Sequence, residues 1–426
     1  MHGFTTPIRS ATSVQTHYAP AIVCRRALSD NFEAGRDLSR SVGHGYRQSF
    51  SRLPVPGSVG SHAGRRLPCG VAIPKLQRVH KGFHVNQPDY QNHSGTRPAA
   101  WYENWAQTPD SPFRDRPEPK DDREYRTLTY ERDGRIARIT FDRPDKGNSI
   151  TPDTPIDLAH AVERADLDPR VHVILVSGRG KGFCGGYDLD MFAEQGMKPA
   201  EGELDRTGTV LDPVVQAVNH NPWGTWDPMI DYAMMSRFNR GFASLLHANK
   251  PTVAKLHGFA VAGGTDIALY ADQIICADDT KIGYPPTRVW GIPAAGMWAH
   301  RLGDQRAKRL LFTGDCISGK QAAEWGLAVE SWPADELDER TEALVERIAR
   351  MPVNQLMMAK LALNSALLSQ GVANSAMIST VFDGVSRHTR EGYAFQLRSA
   401  TAGFREAVRE RDEPYGDYKR AQFDTD

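Results

Sequence analysis

A chain of 426 residues, 40% of them hydrophobic, can bury one large core or two smaller ones. Its 52 Lys+Arg balance 52 Asp+Glu, so no net charge recruits nucleic acid or an anionic membrane, and any anionic ligand must be met locally. The cysteines Cys24, Cys69, Cys184, Cys276 and Cys316 are odd in number and lack CxxC or Cys/His ligand spacing; this argues against a disulfide framework and a metal site and for a reducing, cytoplasmic setting. No run approaches 18 consecutive apolar residues and no apolar segment follows the first methionine, so neither a membrane span nor a secretory signal is expected.

Residues 1–122 are rich in Arg, Ser, Gly, Pro and His and show no sustained period of 2 or 3.6, the composition of a largely disordered extension. Their first 29 residues hold no acid but do hold Arg9, Arg25 and Arg26, which makes a mitochondrial transit peptide, and the matrix, the alternative location. The folded part is expected to begin near Arg126. There RTLTYERDGRIARITFDRP reads as two strands around a turn at Asp133-Gly134.

A helix over about Pro155–Ala165, the apolar strand VHVILVSG and a Gly-rich loop follow. An insert over about 194–240 carries His220, Asp227 and Asp231 among Trp223, Trp226, Tyr232, Met234 and Met235. It is expected to fold over a pocket, either as a packing cap or as a source of a reactive group. Then PTVAKLHG runs into AVAGGTDIALYADQIICADD, repeating strand, Gly-rich turn and helix at α/β spacing. These divide the chain into a core over 123–305 and a helical region over 306–426, whose patterns each end in Gly or Pro.

Two segments, SGRGKGFCGGYDLDMF and KLHGFAVAGGTDIALYADQIICADDTKIGYPPTRVWGIPAAG, resemble the two signature regions of the crotonase (enoyl-CoA hydratase/isomerase) superfamily. DRPDKGNSI, FTGDCISGKQAAEWGL and TREGYAF are similar to smaller motifs of that family and occur in the same order, so the resemblance covers about residues 125–410. It implies an α/β fold, a ClpP-like spiral of ββα units with a C-terminal helical trimerisation region. It also implies an acyl-CoA thioester substrate, a homotrimer or hexamer, and no cofactor besides the CoA that arrives with the substrate.

An enolate formed from a thioester needs two preorganised N–H donors where charge builds, and a Gly-rich turn entering a helix supplies them. By position in the motifs these are the N–H groups of Tyr187 and Gly263. The loop from Cys184 to Asp190, with Gly186, Asp188, Leu189 and Asp190, would cradle CoA, and Lys146 and Lys181 would meet its phosphates. Hydratases of the family use two glutamates. Here the first position is Asp266, which keeps a carboxylate for acid/base work, and the second is Pro286, which cannot transfer a proton. If that segment is extended, Tyr284 and Arg288 share the face of Pro286 and come toward the missing acid's place. No GxSxG occurs, which disfavours a Ser-His-Asp hydrolase.

Overall fold

A computed structural model describes residues 105–107, 111–119, 123–194, 209–210, 213–418 and 421. Most of the extension over residues 1–122, and with it the transit-peptide reading, lies outside the described residues. Within the described part, Glu118 pairs with Arg132 at 2.7 Å, so residues 111–119 touch the folded domain.

The hairpin forms where the sequence places it. β1 (Leu128–Asp133) and β2 (Ile136–Phe141) pair antiparallel around Gly134, whose φ of 56° lies in the left-handed region that favours glycine. α1 (Thr154–Leu167) then leads to β3 (Val173–Gly178), and β2 and β3 pair in parallel. β3 is buried along almost its whole length, as an unbroken apolar run at the centre of a parallel sheet requires.

The insert contains α2 (Pro213–Asn219) and α3 (Pro228–Phe242), followed by the short α4 (Ser244–His247). Asp227 caps α3 by accepting from Met229 N–H.

Two ββα-type passes follow. β4 (Thr252–Leu256) turns at Gly258 into β5 (Phe259–Val261) and α5 (Gly263–Ala268); β6 (Gln273–Ala277) continues into β7 (Lys281–Gly283). In each pass the first strand joins a six-stranded sheet and the second a three-stranded one, completed by β8 (Cys316–Ile317) and β9 (Glu330–Trp332). The sheet orders are β1-β2-β3-β4-β6-β9 and β5-β7-β8. This alternation between two sheets is the spiral of ββα units.

Helices α6 (Ala295–Thr313, kinked at Gly303), α7 (Gly319–Trp325) and α8 (Leu337–Ala349) pack around the sheets. The chain ends in α9 (Val353–Ser369), α10 (Val372–Arg387), α11 (Arg390–Ala402) and α12 (Phe404–Asp412). The main core gathers Phe141, Phe183, Phe238, Phe242 and Trp298, all buried, and joins the insert to the sheets as one packed body. No helix among the described residues is long and apolar enough to cross a membrane.

Candidate active site

A cavity of about 780 Å³ lies between the loop after β3, the β7–α6 connection, the insert and helices α10–α12. Its walls follow from local stapling. Asn148, with φ 53°, donates to the carbonyls of Arg179 and Gly182, both at 2.9 Å, and so fastens the turn Pro144–Asn148 to the Gly-rich loop. That loop is pinned in turn by Ile150 N–H to Gly186 O (2.8 Å) and Asp188 N–H to Ile150 O (3.0 Å). In such a parallel bridge the residue between, Tyr187, turns its own N–H to the opposite side.

The N–H of Tyr187 has no acceptor among the described residues, and neither has that of Gly263, the first residue of α5. The two stand together. A Cβ on Gly263 would lie 2.9 Å from the Tyr187 ring, and a Cβ on Gly186 would lie 3.4 Å from Gly263 N. Gly186, at φ 93°, is a position where only glycine leaves this approach open. Tyr187 lines the cavity; Gly263 lies one layer behind, under the tyrosine ring and beside the cavity-lining Ala262.

Asp266, in the first turn of α5, is buried. Burial pushes its carboxyl up to about 7, with a further rise from the charge of Asp383; hydrogen bonds from Ala294 N–H (3.0 Å) and the Tyr284 hydroxyl act in the opposite direction. A carboxyl poised there exchanges a proton readily near neutral pH. Asp266 does not itself line the cavity, whereas Tyr284 does. Burial, and then the neighbouring Asp266 charge, raise the hydroxyls of Tyr187 and Tyr284 well above the usual range, so both stay protonated donors.

The other sequence-derived positions separate into two groups. Gly186 shapes the loop, while Asp188, Leu189, Asp190 and Lys146 line the cavity, and Lys146 Nζ sits 3.3 Å from Asp190. Asp188 is occupied with anchoring, accepting from Arg143 and from Ser149 Oγ, each at 3.0 Å. Lys181 is exposed and stands away from the cavity wall. Cys184 is fully buried behind the loop, bridged to Ala260, and burial pushes its thiol up to about 12, so it takes no part as a thiolate.

The segment around Pro286 is not extended. Pro285–Arg288 form a 3₁₀ turn, because two successive prolines fix φ near the helical value and remove the N–H groups a strand would use. Tyr284 consequently reaches Asp266, but Arg288 points the other way, into a buried cluster with Asp412 (2.9 Å), Asp417 (2.8 Å) and Asp315 (3.5 Å). The expectation that Arg288 shares the face of Pro286 is therefore corrected.

Sequence reasoning passed over two cavity-lining residues on α10, Asp383 and Arg387. Arg387 is buried. Its Nη1 pairs with Asp383 and its Nη2 donates to Asp231 at 3.0 Å. Asp383 Oδ1 accepts from Ile292 N–H at 3.2 Å. The available signal was an Asp-Arg pair at i, i+4 in an otherwise uncharged helix, which a surface pair would imitate.

Within the insert, His220 lines the cavity and its Nε2 donates to Asp231 at 2.9 Å. Burial would push the Asp231 carboxyl up, but the bond from His220 and the Arg387 charge outweigh it and hold the group well below the usual carboxylate range. Burial lowers His220 below the usual imidazole range, assisted by Arg387 and opposed by the bond to Asp231. The ligand atoms of His220, Asp231 and His388 lie within 4.8 Å of one another, the spacing of a metal cluster. Asp231 also accepts from Trp226 Nε1 at 2.6 Å, and the Arg387 guanidinium already supplies the positive charge a metal ion would bring. The arrangement is a buried polar network in which Arg387 Nε and His388 Nε2 keep no hydrogen-bond partner among the described residues.

Residues 131–219 and 229–400 match the family model for enoyl-CoA hydratase/isomerase. A protein named putative enoyl-CoA hydratase EchA13 from Mycobacterium tuberculosis is 28% identical over 256 residues, covering 58% of this chain and 77% of that one. A carnitinyl-CoA dehydratase from Proteus mirabilis is 28% identical over 220 residues, covering 51% and 72%. Among solved structures, an enoyl-CoA hydratase from Mycobacterium smegmatis is 65% identical, covers 72% of this chain and all of that one, and superposes with a TM-score of 0.66.

Proposed function

The chain belongs to the enoyl-CoA hydratase/isomerase family, and we propose that it holds an acyl-CoA thioester against the N–H groups of Tyr187 and Gly263 and moves a proton through Asp266. The observation that carries this reading is the meeting of two acceptor-free N–H groups, one of them in the helical turn that also carries a buried carboxyl poised near 7. Each donor aimed at the thioester oxygen lowers the barrier to its enolate by roughly 3 kcal/mol. Asp266 then exchanges a proton with the substrate carbon, the Tyr284 hydroxyl linking the buried carboxyl to the cavity.

CoA is part of the substrate, and no separate cofactor enters this reading. In this reading its phosphates meet Lys146, Lys281 and Arg405, three basic residues of the cavity wall. A lyase reaction, adding water across an enoyl double bond or removing it, asks for a second proton carrier besides Asp266, since Pro286 supplies none.

Assembly as a homotrimer or hexamer fits the outer faces of α9–α11, where Leu363, Leu397 and Phe382 are exposed to 72, 66 and 54%. The test is turnover of short, long and cyclic enoyl-CoAs, and exchange of the α-proton of a saturated acyl-CoA in D₂O, by wild type and Asp266→Ala. Exchange that falls on the order of 10²-fold in Asp266→Ala while thioester binding persists supports the reading. Equal binding with no exchange by either protein would leave a non-catalytic acyl-CoA carrier.

A further inference from the structure

We propose that Asp383 is the second proton-transferring carboxylate of the site, delivered from α10 to the place that Pro286 leaves without one. This rests on the enolate chemistry proposed above and adds a residue to it. Three observations place Asp383 there.

Its Oδ1 lies 3.6 Å from the point a Gly291 side chain would occupy; the same point is bordered by Pro286 Cβ at 3.0 Å and by the Tyr284 ring at 3.7 Å. The carboxylate and the proline thus flank one spot, kept open because residue 291 is glycine. Next, Asp383 lines the cavity, whereas Asp266 stands behind Tyr284. Finally, the two acids grip one loop: Ala294 N–H goes to Asp266 and Ile292 N–H to Asp383, which fixes both carboxylates relative to each other.

The surroundings assign the roles. Asp383 is an ion-paired carboxylate, with Arg387 against Oδ2 and the Ile292 amide on Oδ1. Asp266 has no cation beside it among the groups that shift it, and it feels the Asp383 charge. Asp266, raised to about 7 by burial, is therefore the acid that holds a proton to give.

In water addition, Asp383 takes a proton from water as its oxygen bonds to the β-carbon. The π electrons move to the thioester as an enolate, and the α-carbon then takes a proton from Asp266. The proton gained by Asp383 returns to Asp266 through solvent, leaving the enzyme unchanged. Dehydration runs the same steps backward.

Another candidate for this role on the cavity wall is His220, backed by Asp231, and the experiment separates the two. Hydration of an enoyl-CoA and α-proton exchange of the saturated thioester are measured in wild type, Asp383→Asn, His220→Gln and the double variant Asp383→Asn/Pro286→Glu, with melting temperature and thioester binding alongside. The expected result is a hydration rate that falls on the order of 10²-fold more than the exchange rate in Asp383→Asn, and that recovers in part when Pro286→Glu restores a carboxylate from the opposite wall. Should Asp383→Asn unfold, the single variant Pro286→Glu decides: relocated acid chemistry predicts little gain in hydration, because the position is already served.

Hydration by Asp383→Asn at the wild-type rate overturns the proposal, as does a selective loss confined to His220→Gln. A wild type that exchanges the α-proton but never hydrates also overturns it while leaving the enolate reading intact. A wild type that does neither removes both.

Discussion

Ala294 donates its backbone N–H to Asp266 Oδ1 at 3.0 Å, so the loop that opens α6 is tied to a carboxyl in the first turn of α5. That single bond does not offset the burial of Asp266, which stays half-protonated near neutral pH.

A stability consequence follows from the sign of this shift. Asp266 titrates near 4 when unfolded and at about 7 when folded, so its contribution is intact below pH 4 and is lost as the pH rises through 7. Asp266→Asn is expected to melt higher than wild type at pH 8 and to lose that advantage by pH 4, the difference approaching roughly 4 kcal/mol. Denaturant titrations at the two pH values check it; a pH-independent difference would show that the carboxyl titrates alike in the folded and unfolded protein.

The same group should set the pH dependence of the reaction. If Asp266 delivers the proton to the α-carbon, kcat/KM for hydration declines above about pH 7 and the limb disappears in Asp266→Glu only if the longer side chain escapes burial. A profile flat from pH 6 to 9 contradicts the assignment.

Gly186→Ala places a Cβ 2.7 Å from Ala262 Cβ at a φ of 93°, so the loop must move away from Gly263. Displacing one N–H donor by about 1 Å is expected to cost on the order of 10²-fold in kcat/KM while the fold persists. Circular dichroism and thioester kinetics read the two effects separately.

Leu363→Glu with Leu397→Glu puts charges on the exposed faces of α9 and α11. If those faces meet in a trimer or hexamer, sedimentation of the double variant should give a monomer. An unchanged mass would place the interface elsewhere.

Much of the fold was legible because each element carried its own punctuation: Asp133-Gly134 between two strands, the unbroken apolar run of β3, the glycines entering α5. The proposed N–H donors Tyr187 and Gly263 and the proposed acid Asp266 could be named because they belong to short contiguous motifs. Arg288 was misplaced because an extended segment was assumed where two prolines wind a 3₁₀ turn. Asp383 and Arg387 were passed over for a different reason. They reach the cavity only through tertiary packing of α10 against the insert and α6, and an i, i+4 Asp-Arg pair reads identically whether solvent or a substrate faces it.

Arg288, with a side chain only 3% exposed, faces three carboxylates and lies 4.0 Å over the Tyr415 ring. Arg288→Ala leaves Asp417 buried without its cation, while Asp412 and Asp315 keep Arg411 and Arg309, and a loss on the order of 3–5 kcal/mol is expected in chemical denaturation. A change under about 1 kcal/mol would mean that water enters and solvates Asp417.

The same anchor has a practical side. Because Asp412 and Asp417 clamp the turn that carries Pro286, and Arg411 and Tyr418 form part of the cavity wall, the final stretch of the chain is working surface. A stop codon just before Asp412 would remove Asp412 and Asp417, two of the three acids around Arg288, together with Tyr418 of the cavity wall.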